Sequence, residues 1–259
     1  MLLHIGAFRL DVDSERRSPW HDLIPSTRVL CTVLMMFAIA LTPNGHWKTW
    51  GIYGFGIITL ALFSQVTFGS LAKRVGVEFS FIGVVLLGTL FQRSGEVIWQ
   101  WGWLQVTTVG LTTLGSVALK MLLSLTMVNI LILTTPIPAL LQAISTLRVP
   151  PLLVAIMASM YRYIAVLTDE FQSMRRAALS RNLMNSRKTQ RLVIGNMFGS
   201  LFIRTYDRGE RVHQAMLARG YTGLFPQAEI PKGSWRDGIA ITGFATLAIV
   251  GQLFYIQGR

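Results

Sequence analysis

Residues Leu111–Thr135 read LTTLGSVALKMLLSLTMVNILILTT, twenty-five positions in which Lys120 is the only charge. A helix crosses the hydrocarbon core of a bilayer with about 20 apolar residues. This run therefore reads as a membrane-spanning helix. The rest of the chain agrees. Of 259 residues, 52% are hydrophobic and only 14% are charged, and the mean hydropathy is +0.49. A soluble domain carries about 25% charged residues. The charges present are lopsided, 24 Lys and Arg against 12 Asp and Glu, for a net +12. An apolar, basic composition of this kind excludes most soluble enzymes, disulfide scaffolds and disordered chains.

Working outward from that run, further apolar segments occupy Arg28 to Pro43, Trp47 to Ser64 with Trp47 and Trp50 as interface anchors, Val77 to Phe91, and Gly238 to Ile256. They lack strand alternation and are bounded by polar turns, which favours helices over a barrel. The expected class is an all-α integral membrane protein with about five spans. The first 26 residues have no uninterrupted apolar core with a cleavage site, so the first span is expected to act as the insertion signal. Cys31, the single cysteine, lies inside an apolar run and reads as a small buried hydrophobe.

Orientation follows from Lys and Arg in the connections. With a cytoplasmic N-terminus, the inside holds Arg9, Arg16, Arg17, Arg28, Lys73, Arg74 and all basic residues of 148–236. The outside holds Lys48, Arg93 and Arg259, beside the interfacial Trp99, Trp101 and Trp103. That is the positive-inside arrangement. Residues 148–236 contain 14 basic and 5 acidic side chains, a net +9 out of +12. The prolines at 136 and 138 and at 150 and 151 break helices before this region. Ala139 to Leu147 is expected to be a short amphipathic helix, and Leu152 to Thr168 to lie at the interface, given the proline pair before it and Arg162 within it. Three parts result: a leader with four spans (1–136), a cytoplasmic or interfacial helical platform (137–236), and a C-terminal span (237–259).

Catalytic signatures are missing from the sequence. It contains no Gly-Lys pair and therefore no phosphate-binding P-loop. His4, His21, His46 and His213 are scattered, without metal-ligand spacing. No nucleophile–base pair stands out, and no cofactor is implied. Glu78 is expected at a span end and Glu96 in a loop, so no intramembrane carboxylate relay is expected. Lys120 either lines a cavity or snorkels to the outer surface, the latter favoured by the cost of buried charge. Gly195-Asn-Met-Phe-Gly199 is a small-xxx-small match in a run too short to span.

Two helix ends carry more information. Phe171, Met174, Ala178 and Arg181 fall on one helical face, as do Val212, Ala215, Met216 and Arg219. Each apolar stripe ends in an arginine, and Gly220 can end the second helix in the left-handed conformation. These cations either offset helix dipoles and touch lipid phosphate, or tip a stripe that docks into a groove ending in a carboxylate. Arginine suits the second role because its planar fork binds carboxylate bidentately.

The segment Tyr206-Asp-Arg-Gly-Glu-Arg-Val-His-Gln-Ala-Met-Leu-Ala-Arg-Gly-Tyr221 resembles the signature helix of the CbiQ/EcfT family, the transmembrane T components of energy-coupling factor (ECF) transporters. Family members carry two X-Arg-X motifs on cytoplasmic coupling helices. Ala218-Arg219-Gly220 matches the second in full; Ser180-Arg181-Asn182 stands where the first belongs, with Ser and Asn in place of Ala and Gly. Leu147-Arg-Val-Pro150 with Met160-Tyr-Arg-Tyr163 is similar to the first coupling segment, and His21-Asp-Leu-Ile-Pro25 to the leader, with Ile24 where Asp is usual.

The resemblance is strongest to the metal-import branch, cobalt before nickel. It implies a non-catalytic subunit of the inner (plasma) membrane, without catalytic residues or bound metal. It also implies partners: two ABC ATPase subunits docked on the arginine motifs, and a substrate-binding membrane S component of the metal-binding, CbiM-like kind. A T component of a vitamin importer and a self-contained secondary transporter are the alternatives. The second would need ionisable groups in two or more spans. Membrane lipid is an expected contact. Nucleic acid is not, since the basic residues alternate with apolar stripes rather than with stacking aromatics.

Overall fold

A computed structural model describes residues 18–89, 97–101, 104–221 and 233–257. Among these, eight helices follow one another. They are α1 (Pro25–Leu41), α2 (Trp47–Phe63), α3 (Phe68–Thr89), α4 (Thr108–Thr134), α5 (Ile137–Thr146), α6 (Pro151–Ser180), α7 (Arg187–Ala218) and α8 (Trp235–Gln257). A hairpin, β1 (Val97–Trp101) antiparallel to β2 (Leu104–Thr107), precedes α4. This short hairpin is an addition to the expected all-α architecture. Val-Ile-Trp-Gln-Trp and Leu-Gln-Val-Thr are rich in the β-branched and aromatic residues that favour strands. Trp103 and Arg93 of that expected outer loop lie outside the described residues.

The chain forms two compact units: one runs to Ala143 and resumes at Pro231, and the other is Ile144–Ile230. In the first unit α8 packs on α1 and α2, while α4 packs on α1, α2 and α3. Met35, Ile39, Tyr53, Ile57, Met127, Ile130 and Leu133 form its core. Cys31 is buried among them, as the sequence implied. Large apolar side chains such as Phe37, Phe55, Leu62 and Phe68 remain exposed. In water that coat would be unfavourable, whereas hydrocarbon accepts it.

Two helices are long and apolar enough to cross a membrane among the described residues, α4 and α6. The first matches the run at 111–135. The second contains the segment expected at the interface, 152–168. Pro150 is the N-cap and Pro151 the first residue of a continuous 30-residue helix, about 45 Å long. A proline there has no N–H to lose from the helix, so the pair starts it cleanly.

Close approach of α2 and α8 depends on absent side chains. A Cβ added at Gly251 would lie 2.4 Å from the Tyr53 ring. We expect Gly251→Ala to cost about 1–3 kcal/mol through overpacking, read as a lowered thermal midpoint in detergent. Combining it with Tyr53→Ala should remove most of that interaction penalty.

α3 begins at Phe68 and runs through the polar Lys73 and Arg74, so Glu78, expected at the end of the apolar run, lies in mid-helix. Its Oε2 accepts from Asn129 Nδ2 at 2.7 Å, and Asn129 also donates to Leu125 O at 2.9 Å. Lys120 is half-buried. Its Nζ donates to Ala40 O at 3.4 Å in the last turn of α1 and stands 5.7 Å from the Trp50 ring centroid. A cation is favourable at a helix C-terminus and over an indole face.

Candidate docking site: two arginine-capped helix ends

The second unit presents the two arginine motifs in matching stereochemistry. Arg181 is the C-cap of α6, with φ −86° and ψ 6°. Arg219 is the C-cap of α7, with φ −92° and ψ 9°. The next residues, Asn182 and Gly220, both adopt the left-handed conformation, with φ 55° and 80°. Each end then closes with the same hydrogen-bond pair. At α6, Leu183 N donates to Ala178 O at 3.0 Å and Asn182 N to Leu179 O at 3.0 Å. At α7, Tyr221 N donates to Met216 O at 3.0 Å and Gly220 N to Leu217 O at 2.9 Å. Both are Schellman motifs, which satisfy carbonyls that a helix end otherwise leaves open.

This equivalence accounts for the altered first motif. The position after the arginine needs φ above zero, which glycine adopts without steric cost and asparagine tolerates best among the others. Ser180 keeps its hydroxyl occupied locally, donating to Ala177 O at 2.9 Å. Ser180-Arg181-Asn182 and Ala218-Arg219-Gly220 are thus two sequences for one backbone shape. Asn182→Gly should leave the cap intact. Asn182→Val should weaken it by about 1–2 kcal/mol, seen as faster amide hydrogen exchange at 182 and 183.

The motif residues are exposed at both ends: Ser180, Arg181 and Asn182 at one, Ala218, Arg219 and Gly220 at the other. Among the described residues neither Arg181 nor Arg219 forms an ion pair. Other arginines of the unit are engaged. Arg204 and Arg208 reach Glu170 at 3.5 and 3.2 Å, tying α7 to α6.

The apolar stripes are divided between inside and outside. Phe171 stacks on Phe198 of α7 with ring centroids 5.0 Å apart, and Ala178 is buried. Met174 is half-buried. On α7, Val212 and Met216 are half-buried and Ala215 is exposed. Met216 lines a cleft of about 650 Å³ together with Met160, Tyr163, His213 and Tyr221. Much of the first stripe therefore holds α6 against α7. Gly195 and Gly199 are exposed with nothing packed on them, and the buried residue between them is Met197.

A feature not anticipated from sequence lies in the other unit. Arg28, only 6% exposed, donates Nε to Leu23 O at 3.1 Å, Nη1 to Thr134 O at 2.9 Å and Thr135 Oγ1 at 3.3 Å, and Nη2 to His21 O. Sequence reading counted it only as orientation charge. The one available signal was its place at the start of an apolar run, where a buried arginine requires several acceptors. Among the described residues no group of three or more His, Cys, Asp or Glu could hold a metal ion.

The apolar-coated helical bundle of the first unit defines a membrane protein. The chain belongs to the CbiQ/EcfT family of transmembrane T components of ECF transporters: the family model described as "CbiQ: Cobalt transport protein" matches residues 16–230. Among its relatives is the energy-coupling factor transporter transmembrane protein EcfT of Ruminiclostridium cellulolyticum, 30% identical over 227 residues, covering 78% of this chain and 79% of that one. The EcfT proteins of Lacticaseibacillus paracasei and Listeria innocua are 25% and 26% identical, each covering 92% of this chain and 94% and 93% of their own.

Proposed function

We propose that this chain is the non-catalytic coupling subunit of an ECF importer in the inner (plasma) membrane. Its partners are two ABC ATPase subunits and a metal-binding, CbiM-like S component that holds the substrate. Five spans, a cytoplasmic N-terminus and a cytoplasmic platform over 137–236 complete the reading, supported by the distribution of Lys and Arg. The observation that carries it is the pair of equivalent caps at Arg181 and Arg219. Two equivalent backbone shapes, each offering an exposed guanidinium without an ion-pair partner among the described residues, suit two copies of one groove that ends in a carboxylate. Closure of the ATPases on ATP would draw the two helix ends together and shift the S component. The substrate is a transition metal ion, cobalt before nickel, in keeping with the description of the matching family.

The test is reconstitution. The chain alone in liposomes should move no cobalt; with both ATPases, the S component and ATP, cobalt should accumulate inside. Cobalt or nickel entry through the chain alone would instead establish a self-contained transporter. A T component of a vitamin importer is the other outcome the same test can give. Uptake of a vitamin but of neither metal by the full assembly would decide for it.

A further inference from the structure

The first unit runs to Ala143, within α5, and resumes at Pro231, just before α8. The C-terminus of α4 and the N-terminus of α8 are thus the ends of its long helices next in sequence to the two crossings, the roots of the second unit. One short segment, residues 18–28, is bound to both. On the α4 side, Trp20 Nε1 donates to Thr134 Oγ1 at 3.0 Å and Arg28 grips Thr134 O and Thr135 Oγ1. Toward α8, the Trp20 ring meets Phe244 at 6.0 Å between centroids. Asp237, 5% exposed, accepts from Ile24 N at 3.0 Å. Its second oxygen accepts from Ser234 N at 2.7 Å, which caps the first turn of α8.

Simple anchoring of a leader would need one of these attachments. Two buried, oppositely charged residues serving both roots form a clasp that fixes the spacing between them. Resting on the coupling function proposed above, we propose that residues 18–28 are a strut, and that Arg28, Trp20 and Asp237 are positioning residues for energy coupling. Held at a fixed separation, the two roots pass displacement of 144–230 into the membrane helices. With the clasp loosened, the roots slide apart and ATP is hydrolysed without transport.

The test uses the full complex in liposomes, measuring cobalt taken up per ATP hydrolysed and thermal midpoint together. Trp20→Phe keeps the ring contact and loses only the bond to Thr134. Arg28→Lys keeps the charge and loses the fork. Both are expected to assemble and to hydrolyse ATP, with uptake per ATP lowered about threefold or more. An unchanged ratio in the assembled complexes, at whatever midpoint, would overturn the strut. So would loss of assembly and ATPase in proportion, with a normal ratio in the surviving complex, since that is a purely structural effect. If Arg28→Lys does not fold, Trp20→Phe alone decides. Failure of the wild-type chain to bind ATPases at all would instead remove the function on which the strut rests.

Discussion

Changing Arg181 and Arg219 together to glutamate is expected to abolish recovery of the ATPase subunits with the chain. The chain itself should remain folded in the membrane. Both side chains are exposed, and among the described residues neither is in an ion pair, so the fold loses little. A docked guanidinium is different. Reversal places two like charges in a desolvated contact, and truncating one partner of such a pair already costs about 2–5 kcal/mol. Each single reversal should therefore weaken association by about 30-fold or more. Lysine should recover part of it, since it keeps the charge and loses the planar fork. The measurement is co-purification followed by ATP-dependent uptake. Normal assembly and uptake in the double variant would remove both helix ends from the docking role.

The largest effect on stability is expected at Arg28. Arg28→Met removes five N–H donors and leaves buried carbonyls of His21, Leu23 and Thr134 without them. It also strips Asp237 of a nearby compensating charge. Breaking one side of such a buried arrangement costs about 3–5 kcal/mol, a large part of the stability of a domain. Arg28→Met should lower both the yield of folded protein and its thermal midpoint in detergent. The exposed pair of Arg236 with Asp22, 3.2 Å apart, provides the contrast. Arg236→Gln should cost no more than about 1 kcal/mol. Equal losses in the two variants would mean that burial of Arg28 contributes nothing special.

The helices of the first unit were legible because their physical cause is local. An apolar run near bilayer length has few alternatives, and α1, α2, α4 and α8 fall close to the runs at 28–43, 47–64, 111–135 and 238–256. Reading was poorer where hydropathy and helix length diverge. α3 starts nine residues before the run at 77–91, because Lys73 and Arg74 interrupt the apolar pattern without interrupting the helix. α6 passes through Arg162 for the same reason. A strand of five residues or fewer is too short for periodicity to separate it from a loop, which explains the missed hairpin.

The arginine motifs themselves stood out in the sequence, since a cation at the end of an apolar stripe followed by Gly is a local pattern. Their equivalence did not. Asn182 differs from Gly220 in composition, and only the backbone reveals that both hold the same left-handed turn. Nor could the sequence divide the stripe of Phe171, Met174 and Ala178 between a partner and α7. An apolar face looks the same whichever surface covers it.

By itself, then, the sequence determined a helical membrane protein, a basic stretch over 148–236 and two arginine-tipped ends, all products of composition and spacing along one element. Tertiary structure decided what each charge does. Arg28, Lys120 and Glu78 found partners 106, 80 and 51 residues away. Burial energies of charge depend on those acceptors and donors, and no pattern local to one helix contains them.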